Sequence, residues 1–275
     1  MQYVIKSMSM SEILDQAVNL TKNHFKTLFT ICCYMIVPLN LIFNFAILAI
    51  MPEITQNPTE EEAKRFLQEL ASKGVVLATL GGIYFVIFAF IIWPITNAAM
   101  IHAVASEYLG KPVTPGEAVK AGVSRLGAVL GTSILGGIVV GLGFIALIIP
   151  GFYLLMRYYF AINGFVPTIE GRSGSEALTR SGELMRGNYG TLFVLGFILL
   201  FFNGTVGSMA NMIPVKSIAV ILQVGLQVIG LMAGASAGVV FYFSSRCKHE
   251  NFDLTVLADA VATDSPEPST TAVEK

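Results

Sequence analysis

About six apolar runs of about 20 residues divide the chain, and each is long enough to cross a bilayer as a helix. Short polar segments separate the runs. The pattern therefore predicts an all-α fold, a polytopic membrane helical bundle formed by a single domain over residues 1–257. The predicted spans cover residues 27–51, 74–101, 127–149, 152–169, 189–213 and 217–243, with a tight turn at Pro150 and Gly151 between the third and the fourth.

Two polar segments that precede predicted spans repeat one another. Residues 11–29 read SEILDQAVNLTKNHFKTLF and residues 175–193 read SEALTRSGELMRGNYGTLF, and the two align without a gap. A shorter third copy covers residues 114–131. The repeat predicts three units, each a charged amphipathic helix followed by a membrane hairpin.

The repeated segments are predicted to be amphipathic helices that lie in the cytoplasmic interface of the membrane. Glu176 and Arg180 are four residues apart and are expected to pair on the exposed face. Ser11 and Ser175 are the predicted N-caps, since a serine side chain accepts hydrogen bonds from the first N–H groups of a helix. The charged residues assigned to these interfacial helices are Glu12, Lys22, Glu117, Glu176, Arg180 and Arg186.

Basic residues indicate the orientation of the predicted spans. Lysine and arginine are concentrated in the connections that share one side with both termini, which places both termini in the cytoplasm. Residues 52–73 would then lie outside and contain a short acidic amphipathic helix. Residues 258–275 are polar and contain prolines, so a disordered cytoplasmic tail is predicted there.

Composition restricts the class of protein. Hydrophobic residues make up 54% of the chain, charged residues 13%, and the mean hydropathy is +0.70, whereas about 25% charged residues is usual in soluble domains. The formal net charge is −1, so nucleic acid is not an expected partner. The sequence has no phosphate-binding loop and no metal-ligand spacing, and neither a cofactor nor a metal site is predicted.

One stretch carries a family resemblance. Residues 165–193 combine a Glu170-Gly171 turn, an ALTRS helix and an Arg186-Gly187 end. They resemble the integral-membrane domain attached to some bacterial glycerophosphodiester phosphodiesterases, and related stand-alone six-span membrane proteins of unassigned function. IPGFYLLMRYYFA and KHENFDLTVLA are similar to further features of that family. The resemblance implies a bacterial inner-membrane module without the catalytic barrel, which would need about 250 further residues.

Polar residues inside apolar runs are the candidate contacts for a lipid or a substrate, because such residues are costly in a membrane. Arg157 either contacts an anionic group or extends to the nearby interface. The amide pairs either line a polar cavity or form hydrogen bonds between helices. Kinks are expected at Pro94 with Asn97 and at Asn163 with Pro167, where polar groups can meet the freed carbonyls. The candidates are Arg157, Asn163, Asn40, Asn44, Gln223 and Gln227.

Glycines at four-residue spacing predict close helix packing in the third and sixth spans. These glycines are Gly137, Gly141, Gly230, Gly234 and Gly238. The last three include the stretch GASAG, which matches a serine-nucleophile pattern around Ser236. No histidine is expected at that depth, so packing is favoured over catalysis.

The leading hypothesis is a non-enzymatic membrane protein that organises or senses lipid, or assists another membrane protein. The alternative is a transporter or lipid-translocating protein with a polar path near Arg157. An intramembrane enzyme is the least favoured reading, and no catalytic residue is assigned.

Overall fold

The structure is a computed structural model that describes residues 3, 5–51, 59–211 and 215–254, except for the side chains of residue 203 and residues 206–211. All regular structure in these residues is helical, which confirms the predicted all-α fold. The predicted tail at residues 258–275 lies outside the described residues. The helices are α1 Met10–Asn23, α2 Phe25–Met35, α3 Val37–Ile50, α4 Glu60–Ile87, α5 Trp93–Tyr108, α6 Pro115–Ala146, α7 Ile148–Arg157, α8 Tyr159–Ile162, α9 Phe165–Ile169, α10 Gly174–Leu184, α11 Tyr189–Asn211 and α12 Lys216–Glu250.

The described residues contain fewer candidate membrane spans than the six predicted, when helices are judged by their length and composition. Within the described residues, three continuous helical stretches are long and apolar enough to cross a membrane: Glu60–Tyr108, α6 and α12. Two bent pairs raise the number to at most five: α2 with α3, at 47°, and α10 with α11, at 100°. Six spans are therefore not confirmed, although long apolar helices of this kind fit a membrane-embedded protein.

The second predicted span is longer than expected. Helix α4 begins after Thr59, whose side chain accepts a hydrogen bond from the Glu62 N–H at its N-terminus. It continues through a π-helical turn, Phe88–Ile92, into α5. The acidic helix predicted in residues 52–73 is thus the first part of this span rather than a separate element, and residues 52–58 lie outside the described residues.

The fourth predicted span, residues 152–169, is divided into α7, α8 and α9. The turn predicted at Pro150 and Gly151 lies instead at Leu147, which has an extended backbone (φ −167°, ψ 155°). Pro150 sits in the first turn of α7, where its missing N–H costs nothing. Gly164, with φ 79°, separates α8 from α9 in a conformation that favours glycine.

Helix α12 is the centre of the bundle. Its residues from Ala235 to Ser245 are all buried, on every side of the helix. Helix α1 contacts this half of α12 through a hydrogen bond from Thr21 Oγ1 to Ser236 Oγ (2.8 Å), and the segment before α1 adds one from the Met8 N–H to Ser244 Oγ (2.9 Å). The remaining half of α12 exposes large apolar side chains such as Ile218 and Ile221, as a lipid-facing surface does.

The N-termini of α1, α6 and α10 share a pattern that fits the predicted repeat. The caps are Ser9, Thr114 and Ser173, two residues earlier than Ser11 and Ser175 were predicted to be. Each cap is followed three residues later by an aligned glutamate, namely Glu12, Glu117 or Glu176. The first two glutamates accept the backbone N–H of their caps at 2.8 Å, as in a capping box.

The middle copy departs from the repeat. Helix α1 ends at Asn23, and α10 is followed by a sharp turn, whereas α6 runs without a break from Pro115 to Ala146. The predicted interfacial helix of this copy is therefore the first part of a span.

Candidate functional site

A cavity of about 280 Å³ lies where several helices are interrupted. It borders Ile36, at the bend between α2 and α3, and Trp93, which follows the π-helical turn. It also borders Gly230 and Gly234 of α12, which have no side chains to fill the space. Helix interruptions and π-helical turns occur frequently at functional sites, so the cavity is the leading candidate site.

Amide groups occupy one part of the cavity wall. The Asn97 side chain donates a hydrogen bond to the Asn163 carbonyl (2.8 Å), and the Asn163 side chain donates to the Tyr159 carbonyl (2.9 Å). Ser133 Oγ donates to the Ile162 carbonyl (2.7 Å). These bonds satisfy backbone acceptors that the break between α8 and α9 releases. The cavity thus combines polar groups with an interrupted helix.

The side-chain oxygens of Asn97 and Asn163 can accept hydrogen bonds from a ligand. Asn97, Asn163 and Tyr159 all line the cavity and are half-buried. Among the described residues, no hydrogen bond reaches Oδ1 of Asn97 or of Asn163. An amide oxygen accepts hydrogen bonds, so these atoms can bind a hydroxyl or an amide. Gln227, from α12, adds an exposed amide to the same lining.

The remaining amide candidates lie elsewhere. Asn40 is buried, donates to the Ile36 carbonyl (3.1 Å) and accepts from the Tyr84 hydroxyl (3.1 Å), which ties α3 to α4. Asn44 donates to the Asn40 carbonyl (2.8 Å). Gln223 is exposed and does not line the cavity. Sequence reasoning had placed Asn97 at a kink but not at a site.

Arg157 is also outside the cavity lining. It ends α7, and Nη1 donates to the Tyr153 hydroxyl (3.0 Å). Its backbone carbonyl accepts from Ser181 of α10 (3.0 Å), and its guanidinium lies beside Gly182. Arg157 is thus held between α7 and α10.

A second polar centre was missed by the sequence analysis. The Glu170 carboxylate accepts from Arg180 Nε (2.9 Å) and Nη2 (2.8 Å) and from the Tyr242 hydroxyl (2.5 Å). Arg180 also pairs with Glu250, which pairs with Arg246 (3.0 Å). We call these five residues the α10–α12 ion network. Its charges are balanced, which favours a structural role over anion or cation binding.

The predicted position of Arg180 is wrong. Only 8% of this residue is exposed, and it faces the bundle rather than pairing with Glu176 on an outer face. The apolar face itself is as predicted, because Ala177, Leu178, Ser181, Leu184 and Met185 are buried. The buried face of α10 includes Arg180, because Glu170, just after α9, and Glu250 of α12 place carboxylates beside its guanidinium.

Burial of the Glu170 carboxylate raises its pKa, but hydrogen bonds from Arg180 and Tyr242 and the nearby positive charges outweigh this, so the net pKa is lowered. A lowered folded-state pKa adds stability above the unfolded pKa of about 4.3. That stability is lost as pH falls through the folded-state pKa.

We expect the difference in unfolding temperature between wild type and Glu170→Gln to be largest at neutral pH and to shrink in acid. Thermal denaturation in detergent at several pH values measures this difference. A difference in unfolding temperature that does not change with pH would contradict the ion pairing.

Close helix packing was predicted at five glycines, and the structure shows it at only some of them. A Cβ at Gly238 would lie 2.3 Å from Phe165 Cζ, so this glycine permits close packing. A Cβ at Gly137 or Gly141 would meet no atom within 4 Å, because that side of α6 faces outward. Close contacts on α6 fall instead at Gly136, beside Ile162, and at Gly143, beside Leu154.

The other predicted interfacial residues are at the surface. Lys22 and Glu176 are exposed, and so is Arg186, in the turn between α10 and α11. Ser236 is fully buried, and its hydroxyl accepts the Thr21 hydrogen bond described above. That contact gives Ser236 a packing role between α1 and α12.

Comparison with protein families, with curated proteins and with solved structures yields no match to this chain. The resemblance to the membrane domain of glycerophosphodiester phosphodiesterases therefore stays a prediction that rests on residues 165–193.

Proposed function

We propose that this protein is a non-enzymatic membrane protein that binds a lipid in the cavity between α5, α8, α9, α11 and α12. The observation that carries the proposal is a cavity with apolar walls and amide groups beside an interrupted helix. Ile36, Phe165 and Leu199 supply apolar surface, and Asn97 and Gln227 supply amides. Binding sites for small molecules commonly combine a mainly apolar wall with a few polar groups.

The lining favours a neutral lipid group. Among the described residues, none that lines the cavity carries a formal charge, so a phosphate would lose its hydration without a compensating cation. Hydroxyl and ester groups can exchange hydrogen bonds with amides. The cavity, at about 280 Å³, is at the small end of ligand sites. It suits part of a lipid, such as the glycerol region and the first segment of one chain.

The proposed location is a bacterial inner membrane with both termini in the cytoplasm. The uneven distribution of lysine and arginine supports this orientation. Under this orientation α1 and α10 lie toward the cytoplasmic end of the bundle. A membrane partner that the protein assists remains part of the hypothesis.

Filling the cavity tests the proposal. A Cβ at Gly234 would lie 3.9 Å from Leu199 Cδ1, so Gly234→Leu fits the helix and places its branched end in the cavity. We expect this variant to retain diacylglycerol at least about tenfold less well than wild type, a change of about 1.4 kcal/mol in binding free energy. Native mass spectrometry of the full chain in detergent measures the retained lipid.

The matched control is Gly225→Leu, on the same helix. Gly225 is exposed, and a Cβ there meets no atom within 4 Å, so lipid retention should equal that of wild type. Equal retention by Gly234→Leu and wild type, with both folded by circular dichroism, would contradict binding in the cavity.

A second function, movement of a lipid between leaflets, is favoured by the interrupted helices around the cavity, since such helices form binding sites in many transporters. The path would pass Asn97 and Gln227 rather than Arg157, which does not line the cavity. Reconstituted vesicles containing a fluorescent diacylglycerol analogue distinguish the two functions. Binding without accelerated transfer supports a lipid-binding protein alone.

A further inference from the structure

Arg157 and two tyrosines meet outside the cavity, between the end of α7 and the start of α11, and Arg186 lies nearby in the chain. Arg157 donates to the Tyr153 hydroxyl at 3.0 Å. The rings of Tyr153 and Tyr189 have centroids 5.7 Å apart. Arg186 lies in the turn before α11, three residues before Tyr189, and its positive charge acts on both hydroxyls. We call these four residues the arginine–tyrosine cluster.

The cluster has an excess of positive charge. Within the described residues, neither Arg157 nor Arg186 forms an ion pair with a carboxylate, whereas Arg180 and Arg246 are both paired in the ion network. Lys248 adds a further cation nearby, because its Nζ donates to the Gly187 carbonyl (3.2 Å). Glu183, at this end of α10, is paired with Arg180 at 3.7 Å, so the arginines of the cluster keep their positive charge.

The cluster is accessible. Arg186 is exposed and Arg157 is half-buried, and Tyr153 is 46% exposed. The backbone of Arg157 is held by Ser181, as described above, so the guanidinium projects from a fixed position. A fixed arginine beside hydroxyl donors and a second arginine is suited to phosphate, because guanidinium groups bind its oxygens with paired hydrogen bonds.

The surface beside the cluster is apolar. Phe152, next to Tyr153, is 53% exposed, and Phe193, one turn after Tyr189, is 62% exposed. A ligand with a phosphate at the cluster could therefore lay hydrocarbon against these side chains. Tyrosine and arginine at the boundary of an apolar surface are typical of the headgroup level of a membrane.

We propose that the arginine–tyrosine cluster binds the phosphate group of an anionic phospholipid whose chains lie against Phe152 and Phe193. The site is separate from the cavity, because none of its four residues lines the cavity. It does not depend on neutral-lipid binding, and its test uses a different lipid and different residues. The phosphate chemistry would also suit a soluble phosphate ester, so the experiment includes one.

The test compares lipid binding by the full chain and by Arg157→Gln/Arg186→Gln in detergent. The probes are dioleoyl phosphatidylglycerol, dioleoylglycerol and glycerol 3-phosphate. We expect the double variant to bind phosphatidylglycerol at least about tenfold more weakly, since each arginine near a lipid phosphate contributes about fivefold. Binding of dioleoylglycerol, which lacks a phosphate, should not change.

The matched control is Lys22→Gln/Lys26→Gln, which removes the same charge from two exposed residues elsewhere. It should bind phosphatidylglycerol like wild type. An equal loss in both double variants would overturn the proposal, because the effect would then come from net charge. Unchanged binding in the arginine variant would overturn it as well.

Two further results assign the ligand and guard against misfolding. If glycerol 3-phosphate competes at concentrations similar to those of the lipid, the phosphate site is supported but the lipid assignment is overturned. If it competes only at far higher concentrations, the lipid is supported.

Arg186 is exposed, so Arg186→Gln alone should fold and should bind phosphatidylglycerol about fivefold more weakly. Unchanged binding by this folded variant would count against the cluster.

Discussion

Replacement of Arg180 by glutamine is expected to lower the free energy of unfolding by about 3–5 kcal/mol. The side chain is only 10% exposed and holds the carboxylates of Glu170 and Glu250. Loss of the guanidinium leaves the Glu170 carboxylate, 9% exposed, without its principal cation. Thermal or denaturant unfolding in detergent, followed by circular dichroism, measures the change.

The control for this prediction is Arg172→Gln. Arg172 also contacts Glu170, at 3.2 Å, but its side chain is 51% exposed, and an exposed ion pair contributes about 1 kcal/mol at most. A cycle with Glu170→Gln adds a further check, because the double variant should lose less than the sum of the two single variants. Additive losses, or a loss in Arg180→Gln no larger than that in Arg172→Gln, would count against the ion network.

Replacement of Gly122 by alanine is expected to separate α5 from α6 and to cost about 1–3 kcal/mol. A Cβ at this position would lie 2.5 Å from the Ile95 carbonyl oxygen and 3.2 Å from the Ala99 Cβ. Because the nearest atom belongs to the backbone of α5, a side-chain rotation cannot relieve the contact. The helices must move apart, and their packing contacts weaken.

Gly127→Ala is the matched control on the same helix. A Cβ at Gly127 meets no atom within 4 Å, and alanine favours a helix over glycine by about 1 kcal/mol. The control should therefore be as stable as wild type or slightly more stable. Equal stability of Gly122→Ala and Gly127→Ala in the same unfolding experiment would show that α5 and α6 do not approach this closely.

The helical pattern and the polar boundaries of the fold could be predicted from local sequence. The apolar runs predicted helices, and Ser11 and Ser175 predicted two helix starts, although the caps are Ser9 and Ser173, two residues earlier.

Local sequence predicted a kink near Asn163 but not the division of the fourth span into three helices, because the left-handed backbone of Gly164 becomes visible only in the structure. It also placed the preceding turn at Pro150 and Gly151 rather than at Leu147. The repeat predicted a break between an interfacial helix and a span in all three copies. The middle copy has no such break, and α6 is continuous.

The candidate cavity could be predicted only in part. Asn163 and Gln227 were identified because amides are unusual in apolar helices. Their meeting with Asn97 and Tyr159 depends on the packing of α5 and α8 against α12, which no spacing along one helix encodes. For the same reason Asn40 and Asn44, an equally conspicuous pair, bind within α3 and to Tyr84 instead.

The chain by itself determined that the protein is all-helical and that it has long apolar helices suited to a membrane. Hydrophobicity and helix periodicity are local properties, so they can be predicted from a short window of sequence. Only the tertiary structure decided that Arg180 is buried against Glu170 and Glu250, that the second half of α12 is enclosed, and that Arg157 meets Tyr153. These outcomes depend on which helix faces are brought together, because the energy of a charge or a cavity is set by its neighbours in space.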